Sequence, residues 1–438
     1  MKRYSEYKDS GVKWIGEIPG HWDCRKLKTL LLSPLQYGAN ASGVPYSEHL
    51  PRYIRITDIT LEGKLKLSDK LSLSYEDAAK YILKDKDILF ARSGASVGKT
   101  FLYKKEYGLS AFAGYLIKAE LGKELIPELL FYFTQSDIYE SWKNGIFIQS
   151  TIQNIGADKY SQLQIAIPPL PEQEAIVTYL DTKVAKIDEY ISIAEKKIAA
   201  LEELKQTIIA EAVTRGIHKD VPMKDSGVKW IGMIPEHWKI MRLRFVCEFR
   251  NGYTPSKANP KFWENGTIPW FRMEDIRDSG RFLNEAKQYI SKEAVKGDGL
   301  FEAGSFILAT TATIGEHAML IADSLANQQF TNLKIRKSLI SKLSRNFFFY
   351  YLFVIDEYCK STTRKATFPS VDMTDLKNIG VSIPPIEEQQ EIVTYLDSKV
   401  ANINQLCQAE RSQIEKLKEY KQRLISDVVT GKVKVTND

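Results

Sequence analysis

No apolar run in these 438 residues is long enough to span a bilayer, and the opening MKRYSEYKDS lacks the apolar core of a signal peptide. A cytoplasmic protein with no membrane association is expected. Cysteine is scarce. Cys24, Cys247, Cys359 and Cys407 show no CxxC spacing and no partnering histidine cluster, which argues for free thiols and against a Cys/His metal site. Neither HExxH nor GxSxG occurs. Carboxylates at nuclease-like spacing, Asp275 or Asp278 with Glu285 and Lys287, arise by chance in a chain with 26% charged residues. No convincing catalytic centre remains, so the chain reads as a non-enzyme.

Two near-motifs fail on single residues. Ser93-Gly94-Ala95-Ser96-Val97-Gly98-Lys99-Thr100 resembles a phosphate-binding P-loop, but GxxxxGK[ST] requires glycine at 93, where serine stands. The matching stretch Thr311–Glu316 has Glu316 in place of the lysine. An ATP-binding enzyme is thus the weaker alternative, and a turn offering Arg92, Ser93 and Lys99 to a nucleic-acid backbone is the stronger one. IPPL and IPPI resemble the [DN]PP[FYW] motif of amino-methyltransferases, yet isoleucine replaces the polar residue that would hold the target amino group.

What the chain has, it has twice. KDSGVKWIG starts at Lys8 and again at Lys224; IPPLPEQ at Ile167 is answered by IPPIEEQ at Ile383; IVTYLD begins at Ile176 and Ile392. Every pair is 216 residues apart, which marks a tandem duplication. In each copy the clasp KDSGVKWIG-x-IP-x-HW sets apolar residues (Trp14, Ile15, Ile18 and Trp22 in the first) around a Gly/Pro turn. His21 and His237, just before a tryptophan in that packing motif, read as structural.

The pattern divides the chain into a first domain at 1–165 with its clasp at 8–22, a long helix within 166–222, a second domain at 223–381 with its clasp at 224–238, and a second long helix within 382–438. Strand patterns at 52–59, 87–91, 114–121 and 163–168 surround a helix at 127–142. The second domain repeats the outline at 269–276, 305–310 and 344–359 with different letters. The fold class expected is α+β: two similar α/β globular domains separated by two long antiparallel coiled-coil helices, as an internal pseudo-two-fold repeat. Apolar residues at Ile176, Leu180, Val184, Ile187, Ile191, Ala194, Ile198, Leu201, Leu204 and Ile208 trace the seam of the first helix. If the helices pair antiparallel, the clasp at 8–22 meets the end of the second helix and the chain termini come together. A coiled-coil scaffold with no other role is a further alternative.

Charge favours a polyanion at the domains. Residues 23–165 hold 19 basic against 16 acidic side chains and residues 239–381 hold 21 against 15, whereas both helical stretches are net acidic. Arg55 and Arg272 occupy equivalent strand ends. Loops 143–153 (with Lys143, Gln149, Thr151 and Gln153) and 360–370 (with Thr363, Arg364 and Lys365) carry side chains suited to phosphates and base edges, as do Thr310 and Thr311.

Together the doubled KDSGVKWIG-x-IP-x-HW, the doubled IPP-x-x-EQ-x-x-IV-x-YLD and the two unlike domains between them resemble the specificity subunit of type I restriction–modification systems. The resemblance covers the whole chain. It implies that each domain is a target-recognition domain reading half of a bipartite double-stranded DNA sequence. It implies further that the helices act as a spacer and dock two modification (methyltransferase) subunits, and that restriction subunits join this core. Glu172, Gln173, Tyr179 and Asp181, with Glu388, Gln389, Tyr395 and Asp397, are the docking candidates on the repeated motif. S-adenosylmethionine, ATP and Mg are then expected on partner subunits only.

Overall fold

The computed structural model describes residues 2–60, 63–147, 153–362 and 370–436. The chain forms two compact units, Met1–Glu195 with Arg411–Asp438, and Lys196–Glu410. Each holds one clasp, one mixed α+β domain and a part of both long helices.

In the first unit, Tyr7–Asp9 and Glu17–Pro19 form the antiparallel clasp hairpin. Its turn needs positive φ at Gly11 (72°) and Gly16 (76°), and the Gly16 amide donates to the Val12 carbonyl at 3.0 Å. Ile18 and Trp22 are fully buried beneath it. Burying one indole removes roughly 200 Å² from water, worth about 5 kcal/mol at ~25 cal/mol/Å². The clasp meets the end of the second long helix as expected: Tyr7 Oη donates to the Gly431 carbonyl at 3.0 Å. The Lys434 amide donates to the Lys2 carbonyl at 2.9 Å, so the two ends of the chain adjoin.

The first domain contains two four-stranded sheets. One runs Gln36–Tyr37, Leu116–Ala119, Ile88–Ala91, Thr100–Leu102; the other runs Ser110–Phe112, Arg52–Ile54, Leu71–Ser72, Val44–Pro45. Asp23–Lys26 pairs with Gln164–Ile167 and closes the domain at the start of the helix. The strand expected over 52–59 stops at Ile54, because Asp58 caps a 3-10 turn begun by Arg55. The helix expected over 127–142 is two, Pro127–Phe133 and Asp137–Phe147. Thr134 and Ser136 cause the break by donating their hydroxyls back to the Phe131 and Phe133 carbonyls.

In the second unit, Met223–Asp225 pairs with Met233–Pro235 over buried Ile234 and Trp238. A five-stranded sheet runs Cys247–Asn251, Phe330–Ile335, Phe306–Ala309, His317–Leu320, Phe282–Leu283, beside a three-stranded one built on Ile268–Phe271. Here the helix is continuous, Arg345–Thr362, with apolar residues where the first domain has its hydroxyls.

The long helices are Leu170–Arg215 and Ile386–Val429. They run antiparallel, since in the second unit Lys197 Nζ reaches Glu410 at 2.5 Å while Lys205 Nζ reaches Asn404 at 3.1 Å. In the first unit Lys421 Nζ meets Asp188 at 2.6 Å. The expected seam is buried from Ile176 to Ala194, but Leu204 is 48% exposed. A 3.5-residue repeat drifts about 20° per heptad on a 3.6-residue helix, so at this turn Lys205 replaces Leu204 on the covered face, while Ile208 of the expected seam stays half-buried beside fully buried Ile209.

Candidate nucleic-acid interface

Hydrogen bonds bring three separate strand ends of each domain to one edge. In the first domain the Ala113 amide donates to the Ile54 carbonyl (2.9 Å), Ala39 to Phe112 (2.9 Å), Arg92 to Tyr115 (3.1 Å) and Ile155 to Arg92 (2.8 Å). The second domain repeats the frame with other residues: Asn327 to Phe271 (3.1 Å), Tyr253 to Ala326 (2.9 Å), Thr310 to Gln329 (2.9 Å) and Val371 to Thr310 (2.9 Å). Ser93 bridges Asn154, and Thr311 bridges Ser370, at the same place. The frame therefore gathers Arg55, Arg92 and Ser93 in one domain, and Arg272, Thr310 and Thr311 in the other. Each edge carries a turn, Ala113–Tyr115 and Asn327–Gln329; sequence reading placed Gly114 and Tyr115 in a strand that in fact begins at Leu116, and passed over the second turn. Asn-Gln-Gln before the strand at Phe330 was its only signal.

The side chains differ in availability. Arg55 forks onto Asp58, with Nε at 3.1 Å and Nη2 at 2.8 Å, and this bond raises its pKa further. Arg272 pairs with Glu274. Both arginines thus brace their turns as well as facing the edge. Arg92 lies over the Tyr37 ring at 4.9 Å, and Tyr37 Oη accepts the Ala157 amide at 3.0 Å. Thr310, expected as a contact, is only 5% exposed because its hydroxyl is engaged by Thr331 at 3.0 Å; it positions the edge from beneath. Gln153 is exposed. Gln149, Thr151, Thr363, Arg364 and Lys365 lie outside the described residues.

The P-loop-like stretch is not a phosphate cradle. Gly94–Ser96 is a single 3-10 turn, the Gly98 amide is spent on the Ala91 carbonyl at 2.9 Å, and Thr100 starts a strand instead of a helix. No helix N-terminus stands behind the loop to favour a phosphate. Gly98, at φ 84°, is covered by the Lys143 stem, whose Nζ bonds Glu140 at 2.7 Å. Lys143 is thus a packed prop for the turn carrying Lys99, and Lys360 covers Gly315 in the same way.

Six of the eight docking candidates are engaged inside the chain. Glu172 Oε2 accepts Trp22 Nε1 at 3.1 Å and lies 2.8 Å from His21 Nε2; Glu388 Oε2 does the same for Trp238 and His237 at 3.0 and 2.7 Å. The histidines therefore serve the clasps, as expected. Gln173, fully buried, accepts the Ile126 amide at 2.8 Å and donates to the Glu124 and Pro168 carbonyls at 2.9 Å each. Gln389 repeats this with Ser344, Lys342 and Pro384. Tyr132 donates to Asp181 at 2.5 Å and Tyr350 to Asp397 at 2.6 Å; burial, then the carboxylate, drives both phenol pKa values far up. Only Tyr179 and Tyr395 remain on the helix surface, each beneath a lysine, Lys183 and Lys399.

Among the described residues no group of three or more His, Cys, Asp or Glu could hold a metal, and no helix is long and apolar enough to cross a membrane.

Comparison with known proteins agrees with this architecture. A family model for the type I restriction modification DNA specificity domain matches residues 53–203 and 235–416. The EcoprrI specificity subunit of Escherichia coli is 45% identical over 159 residues, 35% of this chain and 40% of that protein's length. The putative MjaX specificity subunit of Methanocaldococcus jannaschii is 26% identical over 98% of both chains. Among solved structures, a chain of a type I R-M system superposes with a TM-score of 0.71 at 20% identity, covering 95% of this chain and 99% of that one. The HsdS subunit from Thermoanaerobacter tengcongensis gives 0.50 at 20% identity, covering 95% and 98%. With two copies of the recognition fold and matches across both halves, the chain belongs to the specificity subunits of type I restriction–modification systems.

Proposed function

We propose that each domain reads one half of a bipartite double-stranded DNA target, and that the two long helices set the unread gap and dock two modification subunits. The observation that carries this reading is the paired edge: one backbone frame built twice, presenting different side chains each time. Reading two unlike half-sites calls for that combination, because phosphate contacts position a protein while base-edge contacts specify. With Glu172, Gln173, Glu388 and Gln389 occupied internally, docking falls to the outer helix surfaces. Tyr179, Tyr190 and Ile193 are accessible on the first helix, and Tyr395, Leu406 and Tyr420 on the second.

The chain itself is non-catalytic in this reading and works in the cytoplasm. S-adenosylmethionine, ATP and Mg belong to the modification subunits and the restriction subunits that join them. The test is single-molecule sequencing of DNA methylated in cells that express this chain with its modification subunit. A split motif with a fixed unread gap is expected. A folded complex that leaves DNA unmethylated and fails to bind it would overturn the proposal in favour of a scaffold.

A further inference from the structure

The two edges share a frame but not a chemistry. Gly38 and Gly252 hold equivalent places: a Cβ on either would fall on backbone carbonyl oxygens, of Phe112 and Ala113 in one domain and Ala326 and Asn327 in the other. Each glycine lets its strand press against the turn and hold it in the same pose. On that turn the first domain has Gly114 and Tyr115, the latter 62% exposed. The second has Gln328, exposed, and Gln329, half-buried.

The glutamines are held from the protein side. Thr254 Oγ1 donates to Gln328 Oε1 at 2.5 Å, the Gln329 amide donates to Asn327 Oδ1 at 3.0 Å, and Asn327 Nδ2 reaches Gln329 Oε1 at 3.4 Å. Among the described residues neither Nε2 meets an acceptor. A carboxamide offers a donor and an acceptor side by side, which matches N7 and the N6 amino group of adenine in the major groove. Holding it in place beforehand lowers the ordering cost of binding. The first domain has no carboxamide on its turn. Where the second domain has buried Thr310, the first has Arg92 over the Tyr37 ring at 4.9 Å, a fork that matches N7 and O6 of guanine.

On the footing of the proposed DNA-reading role, we infer that the turn Asn327–Gln329 reads an adenine in the second half-target through its glutamine carboxamides, and that Arg92 on Tyr37 reads a guanine in the first. The test compares the full-length chain with the variants Gln328→Ala/Gln329→Ala and Arg92→Ala, each expressed with its modification subunit, by sequencing the methylated motif. The glutamine variant should make one adenine position of the second half degenerate and leave the first half intact. Arg92→Ala should do the converse at one guanine. If a variant methylates too little to sequence, its purified complex is titrated with duplexes differing at one base pair. There wild-type discrimination of about tenfold, within the range of one bidentate contact, should fall to within about twofold. A wild-type motif without adenine in its second half, or a glutamine variant with unchanged second-half preference, overturns the inference while leaving a split motif, and so the bipartite reading, in place. A wild-type complex that yields no split motif removes the bipartite reading itself.

Discussion

Replacing Gln389 with alanine separates two roles that sequence alone assigns to the same residue. Its carboxamide is fully buried and makes three hydrogen bonds, all to backbone: from the Ser344 amide, and to the Lys342 and Pro384 carbonyls. Alanine leaves three polar groups without this partner. Each costs about 1–3 kcal/mol if it stays buried and dry, and admitted water recovers part of that. A net loss of about 3–5 kcal/mol follows. For a unit of roughly 200 residues this lowers Tm by about 6–20 °C, at about 2–4 °C per kcal/mol. Thermal and urea unfolding of the purified chain would measure it. Gln173→Ala should cost the first unit a similar amount, and the two losses should add within about 0.5 kcal/mol because the residues share no partner. If Gln389→Ala left stability unchanged but abolished binding of the modification subunit, the clamp assignment would be refuted and direct docking restored.

Acid should selectively weaken the second unit. Buried His317 lies 2.6 Å from Asp356, which Arg281 also contacts at 3.2 Å, so protonating the ring would add an unbalanced buried charge; burial accordingly lowers its pKa. Its contribution is complete above the unfolded value of about 6.5 and is lost as pH falls below it, because the unfolded chain then binds the extra proton. Urea midpoints measured from pH 7.5 to 5 should fall, and less steeply in His317→Asn. Inserting one helical turn, about 5.4 Å, into both long helices should widen the unread gap by roughly one to two base pairs at about 3.4 Å each. Methylome sequencing that returned an unchanged gap would exclude the helices as the ruler.

The clasps, the duplicated frame and the helices were legible because each rests on local periodicity or exact repetition. Arg92 and Ser93 were singled out because a polar cluster follows an apolar strand, and the fold places both at the edge. The turn at Asn327–Gln329 was not, since its importance arises only when amides from distant strand ends meet there. Leu204 was misplaced by extrapolating a heptad past the point where helix and repeat fall out of phase. The clamp residues were recognised as special in Glu172, Gln173, Glu388 and Gln389, but a repeated polar pair reads the same whether it serves the fold or a partner. Only burial, and the backbone groups it finds, decide between them.

The composition of the compact units bears on how such a chain can change. The first unit is completed by residues 411–438, and those residues correspond, 216 positions on, to residues 195–222. Homologous exchange between the two KDSGVKWIG repeats would excise 216 residues and leave a 222-residue product that keeps one globular domain and one long helix. That product would lack the helix end its domain packs against, yet would carry an equivalent end of its own. Two copies trading those ends would restore both packing surfaces. On the proposed DNA-reading role, a gene of half the length would then encode a symmetric reader of a palindrome.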